Sequence, residues 1–223
     1  MLVSNKAPAR GLLLFCAKIN IAMDSINRVA VFIDNSNVLQ TIKTLQKTGA
    51  YWWQSKYCPV HLSRKLSGAR VVVYVGFYCA PPPSYLMTGN TVDQNRYKLA
   101  MKYYGIIGKM KEVTIHYATV NGSRGNLQEK NLDTKLTADM VGMAAQNKYD
   151  TAILVSNDAD FVSGTQMIQS LGKKVELVYF KGFGSMELRQ KCDVPRNAKP
   201  SFFKKIDGFD DSDAYIPRTQ PLL

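Results

Sequence analysis

Apolar residues along the chain gather in short unbroken runs, separated by segments of helical spacing. Residues 28–33 (RVAVFI) are β-branched and aromatic almost throughout and end at Asp34, the pattern of a strand buried on both faces. Similar runs recur at 70–78, 113–118, 151–156 and 174–180. Between them, residues 37–47 place Val38, Leu39, Ile42 and Leu45 on one helical face, and 92–104 do the same with Tyr97, Ala100, Met101 and Tyr104. Residues 132–148 carry Leu136, Met140, Met143 and Ala144, and 161–171 carry Val162, Thr165, Ile168 and Leu171 before a stop at Gly172. Strand and helix alternate through five rounds. This predicts an α/β fold, a mainly parallel five-stranded sheet with helices on both faces and right-handed crossovers.

Two stretches fit the alternation less well. Residues 51–67 (YWWQSKYCPVHLSRKLS) follow Gly49 and read as an inserted loop with a short helix, or as a packed cap. Residues 185–192 can make one more short helix. The tail at 195–223 is rich in proline and charge, with a short edge element at 201–206 its main expected order. The expected organisation is an extension at 1–25, with Met23 a candidate start, a domain at 26–194 and the tail. Residues 12–23 are too short and too interrupted by Lys18 and Asn20 for a signal peptide, and no run reaches the roughly 18 to 20 apolar residues of a membrane helix.

The chain has 223 residues, 46% of them hydrophobic, enough for one packed core. Its 29 Lys and Arg against 17 Asp and Glu give a net charge of +12 and point to polyanionic partners. Cys16, Cys58, Cys79 and Cys192 form no CxxC pair, and only His61 and His116 could assist them, which argues against zinc and for a reducing, cytoplasmic setting. The oligomeric state, a homo-oligomer included, is not legible.

The acids change the picture more than the total charge does. Asp34 follows the first strand, and Asp158 and Asp160 follow the fourth. In an open parallel sheet, ligands bind beyond the carboxyl ends of the strands where strand order reverses. If strands one and four are neighbours there, these three acids share one crevice. Asp133 and Asp139 belong to the helix that feeds strand four, whose N-terminus would lie at the same edge. They are six residues apart, about 240° net around a helix, so they cannot point one way. Asp133 is read as the helix cap, and Asp139 as an inward-facing acid between Leu136 and Met140 that requires a partner. Several carboxylates this close must share protons or hold a hard divalent cation, and all-oxygen ligation selects Mg²⁺ or Mn²⁺. Such a site can polarise a phosphoryl oxygen and activate water, and the basic surface makes a nucleic-acid phosphodiester the natural substrate.

VAVFIDNSNV (29–38), EKNLDTKLTADM (129–140) and ILVSNDADFVSGTQMIQSLGKKVELVYF (153–180) resemble the signature blocks of NYN domains, in particular the LabA-like branch of the PIN-like nuclease superfamily. The resemblance implies a Rossmann-like three-layer α/β/α domain acting as a metal-dependent ribonuclease. Asp34, Asp139, Asp158 and Asp160 would form its acidic catalytic and metal site, with Asp133 beside them. Asn37 matches a position next to the first acid where an amide could bond a substrate phosphate or orient Asp34, and Ser156, also read as substrate-binding, matches the hydroxyl residue before the last acidic pair. Two departures stand out: Asn157 replaces a usual glycine, adding bulk near the scissile group, and Asn131 and Leu132 replace a usual glycine and valine. Lys130 and Lys135 bracket Asp133 and could meet substrate phosphates. Tyr51, Trp52 and Trp53 could stack on unpaired bases, although core packing weighs more. Between residues 173 and 205, nine cations face three carboxylates.

A metal-dependent ribonuclease is therefore the first reading, and a non-catalytic RNA-binding module of the same fold the second. A phosphatase of the haloacid dehalogenase type also places Asp after strand one, but it needs a second Asp where this chain has Ser36.

Overall fold

The structure is a computed structural model that describes residues 27–123 and 126–207, with the side chains of 121–123 and 126–130 left aside. The expected extension at 1–25 and the tail beyond 207 lie outside the described residues. Strands β1 (Arg28–Asp34), β2 (Val71–Cys79), β3 (Thr114–Tyr117), β6 (Thr151–Val155), β7 (Lys174–Tyr179) and β8 (Val194–Asn197) form one parallel sheet in the order β3-β2-β1-β6-β7-β8. A two-stranded antiparallel hairpin, β4 (Thr119–Ser123) and β5 (Asn126–Lys130), stands apart from it. The helices are α1 (Asn35–Lys47), α2 (Pro59–Ser67), α3 (Thr91–Ile107), α4 (Leu132–Ala145), α5 (Val162–Ser170) and α6 (Met186–Lys191).

The sheet thus has six strands where five were expected. The sixth, β8, contains Pro195, which lacks the N–H that a central strand must donate. At the sheet edge that loss is harmless, and β8 pairs with β7 on one side only. The hairpin escapes the hydrophobic pattern because TVNGS and NLQEK carry too few apolar residues to alternate.

Period-two alternation divides β1 between two cores. Val29, Val31 and Ile33 face one side, with Val38 and Ile42 of α1, Leu62 and Leu66 of α2 and Tyr103, Tyr104 and Ile107 of α3. Ala30 and Phe32 face the other, with Leu136, Met140 and Ala144 of α4, Ile168 of α5 and Leu188 of α6. These are the three layers. Trp53, the last of the three adjacent aromatics, is a core residue packed on Phe180 and Phe203, while Tyr51 and Trp52 stay exposed. A bridge between Tyr57 and Lys205 and the hydrogen bond from Cys58 N to Lys204 O fold the chain after β8 back over this aromatic cluster. Among the described residues no helix is long and apolar enough to cross a membrane, and Cys58, Cys79 and Cys192 are free thiols.

Two carboxylates toward the amino edge of the sheet, Glu176 and Asp150, are neutralised by arginine. Glu176 on β7 receives two hydrogen bonds from Arg70 (2.7 and 3.0 Å) and an ion pair from Arg196 at 2.6 Å, and both arginines also reach Leu66 O. Arg28 grips Asp150, just before β6, through its backbone N, Nε and Nη2. These hydrogen bonds, with the positive charges of Arg28 and Lys173, hold the Asp150 carboxyl down at about 2. A depressed carboxylate stabilises the fold above its unfolded pKa and loses that contribution as pH falls through the folded value. The urea midpoint should therefore drop between about pH 4 and pH 2, and Asp150→Asn should flatten that part of the profile. With side chains 33% and 36% exposed, the pair is screened by water, so Asp150→Asn should cost on the order of 1 kcal/mol at pH 7.

Candidate active site

Strand order reverses between β1 and β6, where the chain leaves one strand toward β2 and the other toward β7, in opposite directions across the sheet. The two strands pair from Val29↔Thr151 to Ile33↔Val155, which sets Asp34 beside Ser156. Asp34 caps α1, accepting the N–H of Asn37 at 3.1 Å on one oxygen and the hydroxyl of Ser156 at 2.7 Å on the other. Ser156, fully buried, also accepts the N–H of Asp158 at 3.1 Å. One hydroxyl thus fixes two of the acids. The sequence marks Ser156 as a substrate-binding residue; buried here, it positions carboxylates instead.

Asp133, Asp158 and Asp160 come together: each offers a carboxylate oxygen, and these lie within 4.8 Å of one another. Asp158 caps the short 3₁₀ turn Ala159–Phe161 through the N–H of Asp160. Asp34 and Asp133 line a crevice of about 220 Å³ with Asp158, Asn37 and Gln40. Asp34 is only 2% exposed, and burial pushes its carboxyl up to about 7, against the hydrogen bonds from Ser156 and Asn37 and with the charges of Asp133 and Asp158 adding to the rise. Among the described residues neither Asp158 nor Asp160 has an ion-pair partner. Three convergent carboxylates, backed by a fourth that resists ionising, suit a hard divalent cation. Asp133, Asp158 and Asp160 would hold it, with Asp34 behind them. Asp34 has both oxygens engaged and little exposure, which does not suit a phosphatase nucleophile.

Asp139 lies elsewhere. It accepts a hydrogen bond from Tyr78 Oη at 2.8 Å, pairs with Lys135 one turn before it, and has His116 Nε2 at 3.7 Å. Tyr78, next to last in β2 and level with Asp34, stacks on His116 at 4.5 Å. The partner that Asp139 required is therefore this tyrosine and lysine, and the 240° separation on α4 sends Asp133 to the crevice and Asp139 to β2. Lys135 is committed to Asp139, and the Lys130 side chain lies outside the described residues. Asp133 does not cap α4: the cap is Asn131, in the left-handed conformation at φ 69°. Asparagine is one of the few residues that adopt it readily, which accounts for its standing where the resemblance has glycine.

The second substituted glycine behaves differently. Asn157 is buried, and its side chain is held in a network. Its Nδ2 donates to Asn37 Oδ1 (3.0 Å) and Thr41 Oγ1 (3.0 Å), its Oδ1 accepts from Phe180 N (2.9 Å), and its own N–H reaches Asn37 Oδ1 (3.1 Å). The added bulk is thus taken up between α1 and β7 rather than presented to the acids. Asn37, expected to meet a phosphate, spends its carbonyl on this network. Nothing in the sequence distinguishes Asn157 as a clasp between α1, β6 and β7, because its partners are 116, 120 and 23 residues away.

A family model of the NYN domain matches residues 28–197. The chain is 25% identical over 183 residues to "Low amplitude and bright protein LabA" of Synechococcus elongatus, covering 81% of this chain and 90% of that protein. It is 29% identical over 91 residues to "Uncharacterized protein y4oD" of Sinorhizobium fredii, covering 40% and 41% of the two chains. Among solved structures, a protein of unknown function from Vibrio parahaemolyticus, VPA0982, superposes with a TM-score of 0.56 at 20% identity, over 81% of this chain and 97% of that one.

Replacing Asn157 by Ala removes the hydrogen-bond partner of the buried Phe180 N–H and one partner of Thr41. Asn157→Ala should lower stability by about 2 kcal/mol in urea denaturation, since an unsatisfied buried polar group costs roughly 1–3 kcal/mol. Truncating Gln146, exposed and at an ordinary backbone conformation (φ −82°), to Ala should cost much less.

Proposed function

The chain belongs to the NYN domain family, and from that premise we propose that it is a cytoplasmic ribonuclease that hydrolyses RNA phosphodiester bonds with Mg²⁺ or Mn²⁺. The observation that carries the reading is the convergence of Asp133, Asp158 and Asp160 within 4.8 Å at the carboxyl edge of the sheet, in a chain whose net charge is +12. A polyanion is drawn to such a surface but repelled from such a pit unless the pit is neutralised. A divalent cation held there would polarise a phosphoryl oxygen and favour attack by water.

The residues divide the work. Asp133, Asp158 and Asp160 form the cation site. Asp34, poised near neutrality at about 7, completes its negative field and can hold a proton when the site is empty of cation. Ser156 sets Asp34 and Asp158 in register, and Asn37 and Asn157 lock α1 to the loop after β6. Asp139 acts through Tyr78 to fix the roll of α4, so that Asp133 faces the crevice.

Purified protein incubated with labelled single-stranded and structured RNA should cleave in Mn²⁺ or Mg²⁺ and not in chelator. Asp158→Asn should lower the rate by about 100-fold or more with an unchanged thermal melt. A wild-type protein that binds RNA in chelator yet cleaves none with either ion would instead mark a non-catalytic RNA-binding member of the family.

A further inference from the structure

A second pocket, of about 430 Å³, lies on the flank of α1 that faces β2 and α3, and it shares Ser36 and Gln40 with the acidic crevice. Lys43, Thr44 and Lys47 complete its polar wall, and among the described residues no carboxylate lines it. Lys43 and Lys47 stand four residues apart on one helix face, where two like charges repel. Arg96 of α3 adds a third cation to the group, while also pairing with Asp93 of the same helix at 3.7 Å. Lys43 and Lys47 are both exposed; partial desolvation, followed by the charges of Arg96 and Lys47, pulls the Lys43 ammonium below its ordinary pKa. By contrast Arg28 pairs with Asp150, Arg70 and Arg196 with Glu176, and Lys135 with Asp139.

We propose that this pocket is a phosphate-binding subsite, in which Lys43 and Lys47, with Arg96 flanking them, take a phosphate of the same polynucleotide chain whose neighbouring linkage lies at Asp133, Asp158 and Asp160. The inference rests on the ribonuclease reading for the identity of the chain, while the pocket's chemistry is read from its own residues. The two sites are complementary. The crevice repels an anion until it is neutralised, whereas the pocket attracts one from the outset, and α1 fixes the offset between them. The Thr44 hydroxyl is spent on Gln40 O at 3.0 Å, so the donors on offer are the two ammonium groups and the Gln40 amide, which suit the tetrahedral oxygens of phosphate. An internal phosphate of the strand and one at its 5′ end share this chemistry.

The test is binding, so that it does not depend on cleavage. Full-length Asp158→Asn protein, in chelator, is titrated with labelled single-stranded RNA 10-mers bearing either a 5′-phosphate or a 5′-hydroxyl, across a salt series. Adding Lys43→Gln and Lys47→Gln should weaken binding about 10-fold and reduce the log–log salt slope by about 0.7 for each phosphate that is no longer neutralised. Lys43→Arg with Lys47→Arg should retain it, and Lys181→Gln with Lys191→Gln should change it little. Weakening for both oligonucleotides supports an internal phosphate, and weakening confined to the 5′-phosphorylated one supports an end-binding site. Affinity and slope unchanged for both, or no binding by the parent protein, would overturn the proposal. If wild-type protein cleaves no RNA, weakened binding by the Lys43 and Lys47 variants would keep the subsite and remove the nuclease reading.

Discussion

The parallel pairing of β1 with β6 is the constraint on which the rest of the molecule depends. It joins two segments more than 120 residues apart and places Asp34 level with Ser156. From that adjacency follow the hydrogen bond that holds Asp34, the one from Asp158 N that aims the loop after β6, and the reach of Asn157 to Asn37 and Thr41. A slip of one residue would break all of these together and would also swap the two core faces of β1, because Val29, Val31 and Ile33 serve one layer while Ala30 and Phe32 serve the other. Burial of both faces thus protects the geometry of the site. The hydrophobic core fixes the register, and the register fixes the acids.

The two ends of the sheet treat carboxylates in opposite ways. Toward the amino edge Asp150 and Glu176 each meet arginine, with bidentate geometry in both cases. For the largely buried Glu176 pair desolvation offsets much of the attraction, yet losing one partner is costly; the Asp150 pair, a third exposed, is screened and contributes less. At the carboxyl edge three carboxylates converge on one point, and Asp34 behind them is driven up to about 7. The fold tolerates this repulsion where one arginine would have relieved it. Helix α4 sits between the two regimes: Asp139 is satisfied by Tyr78 and Lys135, while Asp133, under two turns earlier, is offered to the crevice. An acid anchored on one face of the helix here serves to orient an acid on the other.

Most of this is legible in the sequence where chemistry is local. Five of the six sheet strands announce themselves as β-branched runs, and the acids after strands one and four declare the crevice once the strands are adjacent. What stays hidden depends on distant partners or on position in the sheet. Pro195 reads as a breaker until an edge position makes its missing N–H irrelevant. The β4–β5 hairpin has polar strands that no periodicity reveals. Ser156 and Asn157 look like a substrate ligand and an intrusion, since their sequence neighbours are acids; only the tertiary fold turns the serine onto Asp34 and the asparagine into the interior. Asp139 can be assigned a need for a partner from its place between Leu136 and Met140, yet that partner, Tyr78, comes from another strand 61 residues away.

Helix α1 shows how the core and the site share one element. Val38 and Ile42 bury it against the sheet, and Thr41 is tied to Asn157. Its remaining turns are polar in a pattern that a helix facing only solvent would not need. Asn37, Gln40, Thr41 and Thr44 line a groove of about 710 Å³ toward Phe183 and Ser185, Ser36 and Gln40 border the acidic crevice, and Lys43 and Lys47 stand in the basic pocket on the other flank. Gln40 borders all three. A helix held by a few buried side chains and one clasp leaves its other faces free to carry recognition, and a polar groove and a crevice that share Asp158 lie along the same axis as the basic pocket. The site is therefore better described as a surface organised about α1 than as a pit at the end of a strand.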